Sequence, residues 1–139
     1  MDVPAGFEDL FDDGVRAFLA LATVRASGDP VVVPVWFVSD AEGLIFSTGT
    51  DAWKARDMRA RPSVAGMVMA EGEHERYVSV RGAAHEVVDP GAEGIDPQAL
   101  YRRIVRRYEG HDPSGPHTDV FFRLVPSRIT GYDYRGDAV

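Results

Sequence analysis

Cysteine is absent from this chain of 139 residues. Its absence excludes a disulfide framework, a thiolate zinc site and a cysteine nucleophile, and it is compatible with a reducing compartment. Positive charge is also scarce, because 15 Lys and Arg stand against 22 Asp and Glu, giving a formal net charge of −7. Phosphate backbones select proteins with an excess of Lys and Arg, so we do not expect nucleic acid as the main partner.

Long apolar runs are missing as well. The longest, Val31–Val38, has the length of a strand and is far shorter than the roughly 20 residues that a membrane-spanning helix needs. The first residues are acidic and lack the basic-then-apolar pattern of a signal peptide. We therefore expect a cytoplasmic protein with no membrane partner. The length and the hydrophobic content of 45% predict one domain over residues 1–139 with a core of its own.

The first half of the chain is patterned as one helix followed by three strands. Apolar residues at spacings of three and four predict an amphipathic helix over Phe7–Leu19, weakened by Gly14 in its middle. Turns rich in Gly, Asp and Pro separate three strand-like segments, which we expect to pair as antiparallel neighbours. These predicted strands are Leu21–Arg25, Val31–Val38 and Leu44–Thr48.

The second half alternates helices with longer strands. A helix over Ala52–Ala60 is expected to stop before Pro62, because proline cannot continue it. Gly82 is expected to mark a bulge or bend in a hairpin, and Asp96 with Pro97 begins another helix. The other predicted segments are the strands Val64–Ala70 and Arg76–Val88, the loop Gly110–Asp119 and the strand Val120–Tyr132. About six strands with flanking helices predict an α+β fold, a small closed antiparallel β-barrel.

The predicted strand Val31–Val38 is apolar on both faces. One side of a barrel strand faces the core and the other normally meets water, so this strand needs a second cover. A helix, a partner subunit or a flat apolar ligand would each provide one. Pro34 cannot donate to a sheet ladder, which makes the strand an edge or a bulge at that point. A free edge beside an exposed Trp36 would form a suitable wall for a planar ring.

The segment from Ser47 to Lys54 is rich in hydroxyl groups and leads into the basic helix. It lies at a strand-to-helix junction, where free amide N–H groups and a partial positive charge favour an anion. One interpretation is a phosphate site. The alternative is that Thr50 or Asp51 caps the helix and that Lys54 is an ordinary solvated side chain. The segment does not have the pattern of a Walker loop.

Other chemistries find little support in the sequence. The four histidines have no recognised metal-ligand spacing, so no metal site is predicted. The four arginines between Arg102 and Arg107 are interpreted as a solvated face, with binding of an anion or a partner as the alternative. Catalytic residues are not identified; Tyr77, Tyr132 and His85 are unranked candidates for a proton donor. A scarcity of candidate catalytic acids and bases is typical of an enzyme whose cofactor carries the reactive atom.

In their order along the chain, these segments resemble the flavin-binding split barrel of the pyridoxamine 5'-phosphate oxidase superfamily. The branch that they resemble most uses the deazaflavin coenzyme F-420. The resemblance rests on a Leu-Ala-Thr-Val strand, a Val-Pro-Val-Trp-Phe strand, a Phe-Ser-Thr strand end, and Lys-Ala-Arg-x-x-Arg-x-x-Pro followed by Val-Ala. It extends from about Phe18 to Val88, and the last strand with Pro126 and Gly131 continues it over nearly the whole chain.

The resemblance implies a six-stranded antiparallel split β-barrel that forms a homodimer, with cofactor sites at the subunit interface. It also implies an oxidoreductase that transfers a hydride between F-420 and a small electrophilic organic acceptor. One alternative is the same fold carrying FMN as an oxidase or reductase. Another is a non-catalytic flavin or haem binding protein, because a fold does not fix a function.

The resemblance assigns roles to individual residues. The phosphate of the cofactor would be held by Ser47, Thr48, Thr50 and Lys54 with help from Arg56, and the tricyclic ring would be lined by Val33, Pro34, Val35 and Trp36. One position departs from the family, because Asp57 stands where the family usually has Asn. A carboxylate at this position disfavours an anionic cofactor tail unless Arg56 or Arg61 neutralises it, or unless it faces outward.

Overall fold

Antiparallel strands and two α-helices make up the computed structural model of the chain, which describes residues 1–89 and 91–136. The strands are β1 (Ala17–Val24), β2 (Pro30–Val35), β3 (Phe37–Ser39), β4 (Leu44–Thr48), β5 (Ser63–Ala70), β6 (Arg76–Glu86) and β7 (Val120–Asp133). The helices are α1 (Trp53–Ala60) and α2 (Pro97–Glu109), and a short 3₁₀ helix spans Glu8–Phe11. All seven strands belong to one sheet, in the order β2-β1-β5-β6-β7-β4-β3.

Trp36 is the point at which the sheet closes on itself. β2 pairs with β1 and β3 pairs with β4, so the two strands lie at opposite ends of the sheet order. Only Trp36 separates them along the chain, which requires the sheet to curl until its two ends meet. The curled antiparallel sheet with flanking helices confirms the predicted α+β split barrel. It has seven strands rather than six, because the predicted strand Val31–Val38 divides at Trp36.

β2 is an edge strand, which is one of the two alternatives that Pro34 left open. Pro34 lies opposite Ala20 of β1, and on its other side β2 has no strand partner within the part of the chain that the structure describes. Proline is tolerated at a sheet edge because the missing N–H removes no ladder hydrogen bond there. The backbone of β2 therefore presents one open edge beside Trp36.

Alternate residues of the strands fill the barrel. Phe37, Phe46 and Phe122 are fully buried together with Leu19 and Leu21. α1 packs against β1 and β6 and buries Ala55 and Met58 in the same core. A second apolar cluster lies under α2 and is formed by Val38, Ile45, Val87, Leu100, Ile104, Tyr108 and Phe121.

The predicted helix over Phe7–Leu19 is wrong. The chain forms only the 3₁₀ helix there and is already extended from Ala17, where it pairs with Ala70 of β5. Gly14 disfavours a helix, and its N–H donates to Asp12 Oδ1 at 2.7 Å in a local turn. Helix-like spacing arose because a buried 3₁₀ turn is followed by a strand whose Phe18 also packs against the apolar cluster under α2.

The remaining predicted elements agree with the structure. α1 stops before Pro62, and β5 and β6 form the expected hairpin. The sheet register shifts between Arg81 and Gly82, which confirms the bulge. Asp96 caps α2, since its Oδ1 accepts from Gln98 N at 3.0 Å. Within residues 1–89 and 91–136, no helix has the length and apolar content needed to cross a membrane.

The interpretation of the four α2 arginines as one solvated face is wrong for Arg107. Its guanidinium is buried and donates to the carbonyl oxygens of Leu10, Val15 and Phe37 at 2.8–3.0 Å. A buried charge requires such partners. The side chain therefore connects α2 to the chain segment before β1 and to β3, whereas Arg102 and Arg106 on the same helix are exposed.

Candidate functional site

Trp36 is fixed at the seam of the barrel by α2. Its ring stacks on the ring of Tyr108 with centroids 5.0 Å apart and planes 5° from parallel. Tyr108 is itself held, because its hydroxyl donates to Ala17 O at 2.6 Å and accepts from Phe37 N at 3.1 Å. Trp36 remains 38% exposed. One face of the indole is thus covered by protein, and part of the ring is left for another contact.

A groove of about 340 Å³ lies beside Trp36. It is bounded by the end of β4, by α2 and by the loop between α2 and β7, which confirms the loop predicted at Gly110–Asp119. Its lining combines apolar side chains with titratable ones, the usual composition of a small-molecule site. The lining residues are Trp36, Ser47, Tyr101, Ile104, Val105, Glu109, His111, Pro113, Ser114 and Asp119.

Lys54 is linked to this groove through the charge of Asp119, although it is not one of the lining residues. It is the only lysine of the chain, stands in the first turn of α1 and is half-buried. Burial lowers the pKa of Lys54, and the negative charge of Asp119 opposes that shift. Asp119 precedes Val120, which pairs with Thr48 in the sheet. Of the predicted phosphate-binding residues, only Ser47 lines the groove, whereas Thr48 beside it in β4 is buried.

The N-terminus of α1 has no capping side chain within the described residues. Its N-cap is Ala52, whose side chain cannot accept a hydrogen bond, so the alternative that Thr50 or Asp51 caps the helix is wrong. Free N–H groups and the helix dipole attract an anion at such a terminus. Lys54 adds a full positive charge to the same turn.

Thr50 and Arg56 lie outside the groove. Both are exposed, and Thr50 uses its carbonyl to accept from Arg59 Nη1 at 2.7 Å. Arg56 has no carboxylate within 4.0 Å among residues 1–89 and 91–136. The structure thus leaves Arg56 available to an anion near α1 and does not bring it into contact with Ser47.

The four predicted ring-lining residues divide into two pairs. Val33 and Val35 pack into the barrel core, so their side chains are used by the fold and only their backbone is left at the open edge of β2. Pro34 is exposed and Trp36 is partly exposed. The outer surface of this segment therefore consists of Pro34 and Trp36.

Asp57 is neutralised within the fold. The carboxylate is 6% exposed and forms ion pairs with Arg25 at 2.8 Å and with Arg61 at 2.9 Å. Arg61 was expected as a partner, whereas Arg25 was not. Arg25 also lies over the ring of Trp53, 5.0 Å from its centroid. A paired carboxylate does not present a net negative charge to an anion at α1.

The three candidate proton donors named from the sequence do not line the groove. Tyr77 and Tyr132 face each other on β6 and β7, with ring centroids 5.1 Å apart, and His85 is exposed on β6. The groove has proton-carrying side chains of its own, Tyr101 and His111. Sequence reasoning missed them because Tyr101 belongs to an apolar helix pattern and His111 lies in a loop rich in Pro and Gly.

Comparison with known proteins gives a family match and several similar structures. A family model described as pyridoxamine 5'-phosphate oxidase matches residues 15–133. No curated protein matches the chain significantly. The structure of an F420 reductase is 32% identical, with a TM-score of 0.73, and the match covers 92% of this chain and 98% of the reductase.

Two further structures show the same fold at lower identity. An FAD-binding protein from Mesorhizobium loti is 21% identical with a TM-score of 0.68, covering 92% of this chain and 94% of that protein. The haem storage protein HutZ from Vibrio cholerae is 22% identical, also with a TM-score of 0.68, covering 95% and 96%. At these identities the likeness extends to the fold alone.

Proposed function

Because the chain belongs to the pyridoxamine 5'-phosphate oxidase family, we propose that it is an oxidoreductase that transfers a hydride between the deazaflavin F-420 and a small electrophilic organic acceptor. Support comes from the match to an F420 reductase over nearly the full length of both chains. The observation that carries the proposal is the groove lined by Trp36, Ser47 and Asp119, together with the charge of Asp119 acting on Lys54.

The residues at the groove suit an anionic cofactor with a planar head. Ser47 would offer its hydroxyl to a phosphate, and Lys54 would offer a charge-assisted hydrogen bond from its Nζ. Partial burial strengthens that interaction, because charges interact more strongly where the effective dielectric constant is low. Asp119 acts in the opposite direction, because its negative charge repels an anion in the groove. Thr48, which the resemblance also assigns to the phosphate, is only 4% exposed and does not line the groove.

The planar head would lie against the outer surface of Pro34 and Trp36, with the open edge of β2 available to its polar rim. Tyr108 already stacks on one face of the Trp36 indole. Little side-chain freedom of Trp36 is therefore lost when the cofactor ring contacts it. Thr50 and Arg56, which the resemblance also assigns to the phosphate, lie near the N-terminus of α1 and would contact a longer anionic tail.

When bound in its reduced form, F-420 supplies the hydride, and the protein supplies position and exclusion of water. The loop Gly110–Asp119 and α2 enclose one side of the groove and would exclude water from the acceptor. An acceptor that gains a hydride also requires a proton. Tyr101 and His111 are the groove side chains that carry one, so the hydroxyl of Tyr101 and the imidazole of His111 are the groups to test.

We also propose that the chain forms a homodimer over the outer face of the sheet. Val32 is 65% exposed, and the register places it in one row with Ala22 and Ala65, next to a second row with Pro34, Ala20 and Met67. An exposed apolar surface of this kind is typical of an interface. Pro34 belongs to both this face and the proposed ring site, which supports cofactor sites at the dimer interface.

The test is titration of the purified protein with F-420 and with FMN, followed by absorbance and fluorescence. Lys54→Ala should weaken the preferred cofactor about tenfold to a hundredfold, because it removes a charge-assisted hydrogen bond worth about 1.5–3 kcal/mol. Arg102→Ala, an exposed arginine on α2, is the matched control and should leave the affinity unchanged. An unaltered affinity in Lys54→Ala would remove Lys54 from the site.

The spectra also decide between the alternatives. Tight binding of FMN in place of F-420 would favour an FMN oxidase or reductase. A Soret band on addition of haem, without oxidoreductase activity on a panel of electrophilic acceptors, would favour a non-catalytic haem binding protein. Hydride transfer from reduced F-420 to at least one acceptor is the result that the proposal requires.

A further inference from the structure

The loop Gly110–Asp119 runs back beside α2, from the C-terminus of the helix towards its N-terminus. Gly110 ends the helix in a left-handed conformation, with a φ of 76°, which glycine adopts without steric cost. The backbone N–H of His117 then reaches the first turn of α2, where it donates to Gln98 Oε1 at 2.9 Å. The loop therefore spans the length of the helix before it enters β7.

Gln98 holds the later part of this loop through both polar groups of its side-chain amide. Its Oε1 accepts from His117 N, and its Nε2 donates to Gly115 O at 3.4 Å. One glutamine can bind a peptide segment at two points in this way, because its amide contains both an acceptor and donors. The cap of α2 uses only the backbone of Gln98, whose N–H donates to Asp96 Oδ1. The side chain is therefore not needed to begin the helix.

The ring of His117 holds the same part of the loop. Its centroid lies 6.3 Å from that of Tyr101 and 5.5 Å from that of Phe121, and its Nδ1 lies 3.2 Å from Asp119 O. Phe121 belongs to the apolar cluster under α2, and Tyr101 lines the groove beside Trp36. The half-buried imidazole thus packs between the core and the groove wall.

The earlier part of the loop is attached to α2 more weakly. Arg106 forms an ion pair with Asp112, and both side chains are more than half exposed, so the pair contributes little. Pro113 and Ser114 follow, and both line the groove. They lie between the Arg106 contact and the Gln98 contacts. This part of the groove wall is therefore held mainly by Gln98.

We propose that Gln98 is a positioning residue for the electrophilic acceptor and acts on it through the loop. Gln98 does not itself line the groove. By holding Gly115 and His117, it keeps Ser114 in the groove wall before an acceptor binds. A wall that is already ordered loses less conformational entropy on binding. This inference rests on the proposed function, because it assigns the groove beside Trp36 to the acceptor of that reaction.

Hydride transfer from reduced F-420 to cyclohex-2-enone and to menadione tests the role of Gln98. At saturating F-420, Gln98→Ala should raise the KM for the acceptor about fivefold and leave kcat within about twofold, because the loop is no longer held in place. The Kd of F-420, measured by fluorescence titration, should also stay within about twofold. Arg102→Ala is the matched control: Arg102 is exposed on the same helix, and its substitution should leave all three constants unchanged.

Gln98→Glu separates the loop contact from a general effect on the fold. A carboxylate still accepts from His117 N but cannot donate to Gly115 O. The shorter of the two hydrogen bonds is thus kept, and the KM should return to within about twofold of the unaltered value. Hydrogen–deuterium exchange of the free protein, followed by NMR, gives an independent readout. The amide of His117 should exchange about fivefold faster in Gln98→Ala than in Gln98→Glu.

Three results would overturn the role of Gln98. The first is an acceptor KM in Gln98→Ala equal to that of the unaltered protein, and the second is an equal rise of the KM in Gln98→Ala and Gln98→Glu. The third is a Kd of F-420 that weakens as much as the KM rises, which would assign Gln98 to the stability of the whole site. An absence of hydride transfer in the unaltered protein is a different result: it is a failure of the proposed function, and the role of Gln98 fails with it.

Discussion

Lys54 combines three properties that matter for binding an anion. It is the only lysine, it stands in the first turn of a helix that no side chain caps within the described residues, and it is half-buried. Burial lowers the pKa of Lys54 because it disfavours the charged form, while Asp119 favours that form. An anion bound beside Lys54 would raise the pKa of Lys54, as the negative charge of Asp119 does.

The lowered pKa of Lys54 predicts a pH dependence of cofactor binding. Only the protonated amine attracts a phosphate, so the affinity should fall as pH rises through the lowered pKa, beginning below the ordinary lysine value of about 10.4. In Lys54→Arg the side chain stays charged above pH 12, so the loss should move to higher pH. Titrations of F-420 and FMN between pH 7 and 10 measure this. Parallel profiles for the two proteins would contradict the prediction.

The bulge between β6 and β7 shows how one element shapes the barrel. The register shifts at Arg81 and Gly82, and a Cβ added to Gly82 would lie 2.1 Å from the carbonyl oxygen of Val125. The obstacle is backbone of the neighbouring strand, which cannot move aside without opening the ladder. Glycine is required here for the close approach of two strands, as at other bends of barrels.

Gly82→Ala should therefore lower the free energy of unfolding by about 3 kcal/mol or more, at the upper end of the costs of overpacking. Gly115→Ala is the control, because a Cβ at that position meets no atom within 4 Å, and it should change stability by less than about 0.5 kcal/mol. Urea unfolding followed by circular dichroism gives both values. Equal midpoints for the two variants would show that the strands can separate at little cost.

At the scale of the whole molecule, the inner face of the sheet is buried in the core, and the outer face is partly apolar and exposed. The inner face and the two helices bury the core, while Val32 and the row of small residues beside it remain on the outside. A second copy of the chain would cover this face. The Trp36 side chains of both copies would then lie close to the interface. The homodimer remains a proposal, and the cytoplasmic location remains a prediction.

Sedimentation at micromolar concentration tests the dimer. The chain of 15.2 kDa should sediment as two copies, and Met67→Glu should shift it to one, because a carboxylate on the outer face would be buried without a partner. Val88→Glu is the control: Val88 is 79% exposed and follows β6, and its substitution should leave the dimer intact. A monomeric unaltered protein would leave the apolar outer face without the proposed cover.

Residues that act on their immediate neighbours were predicted well from the sequence. Pro62 ends α1, Asp96 begins α2, and Gly82 marks the bulge, because each effect is decided within a few residues of the chain. The helix predicted over Phe7–Leu19 failed for the opposite reason. Ala17 and its neighbours pair with a strand more than 40 residues away, and that pairing outweighs a local helical pattern.

For the candidate site, the sequence supplied the chemistry and part of the arrangement. Ser47 and Lys54 are close in the chain, because only four residues separate the end of β4 from the start of α1. Tyr101, His111 and Asp119 could not be assigned to the groove in advance. They reach it from α2 and the following loop, whose positions depend on how α2 docks through Tyr108 and Arg107.

The sequence by itself determined the order of the strands and helices after the first 20 residues and the supply of hydroxyls and one amine at the start of α1. These are consequences of short-range sterics and hydrogen bonding. Only the tertiary structure decided that the sheet closes at Trp36, that the charge of Asp119 acts on Lys54, and that Arg81 faces Arg128. Such contacts join residues more than 40 positions apart, and they are fixed by packing of the whole barrel rather than by any local preference.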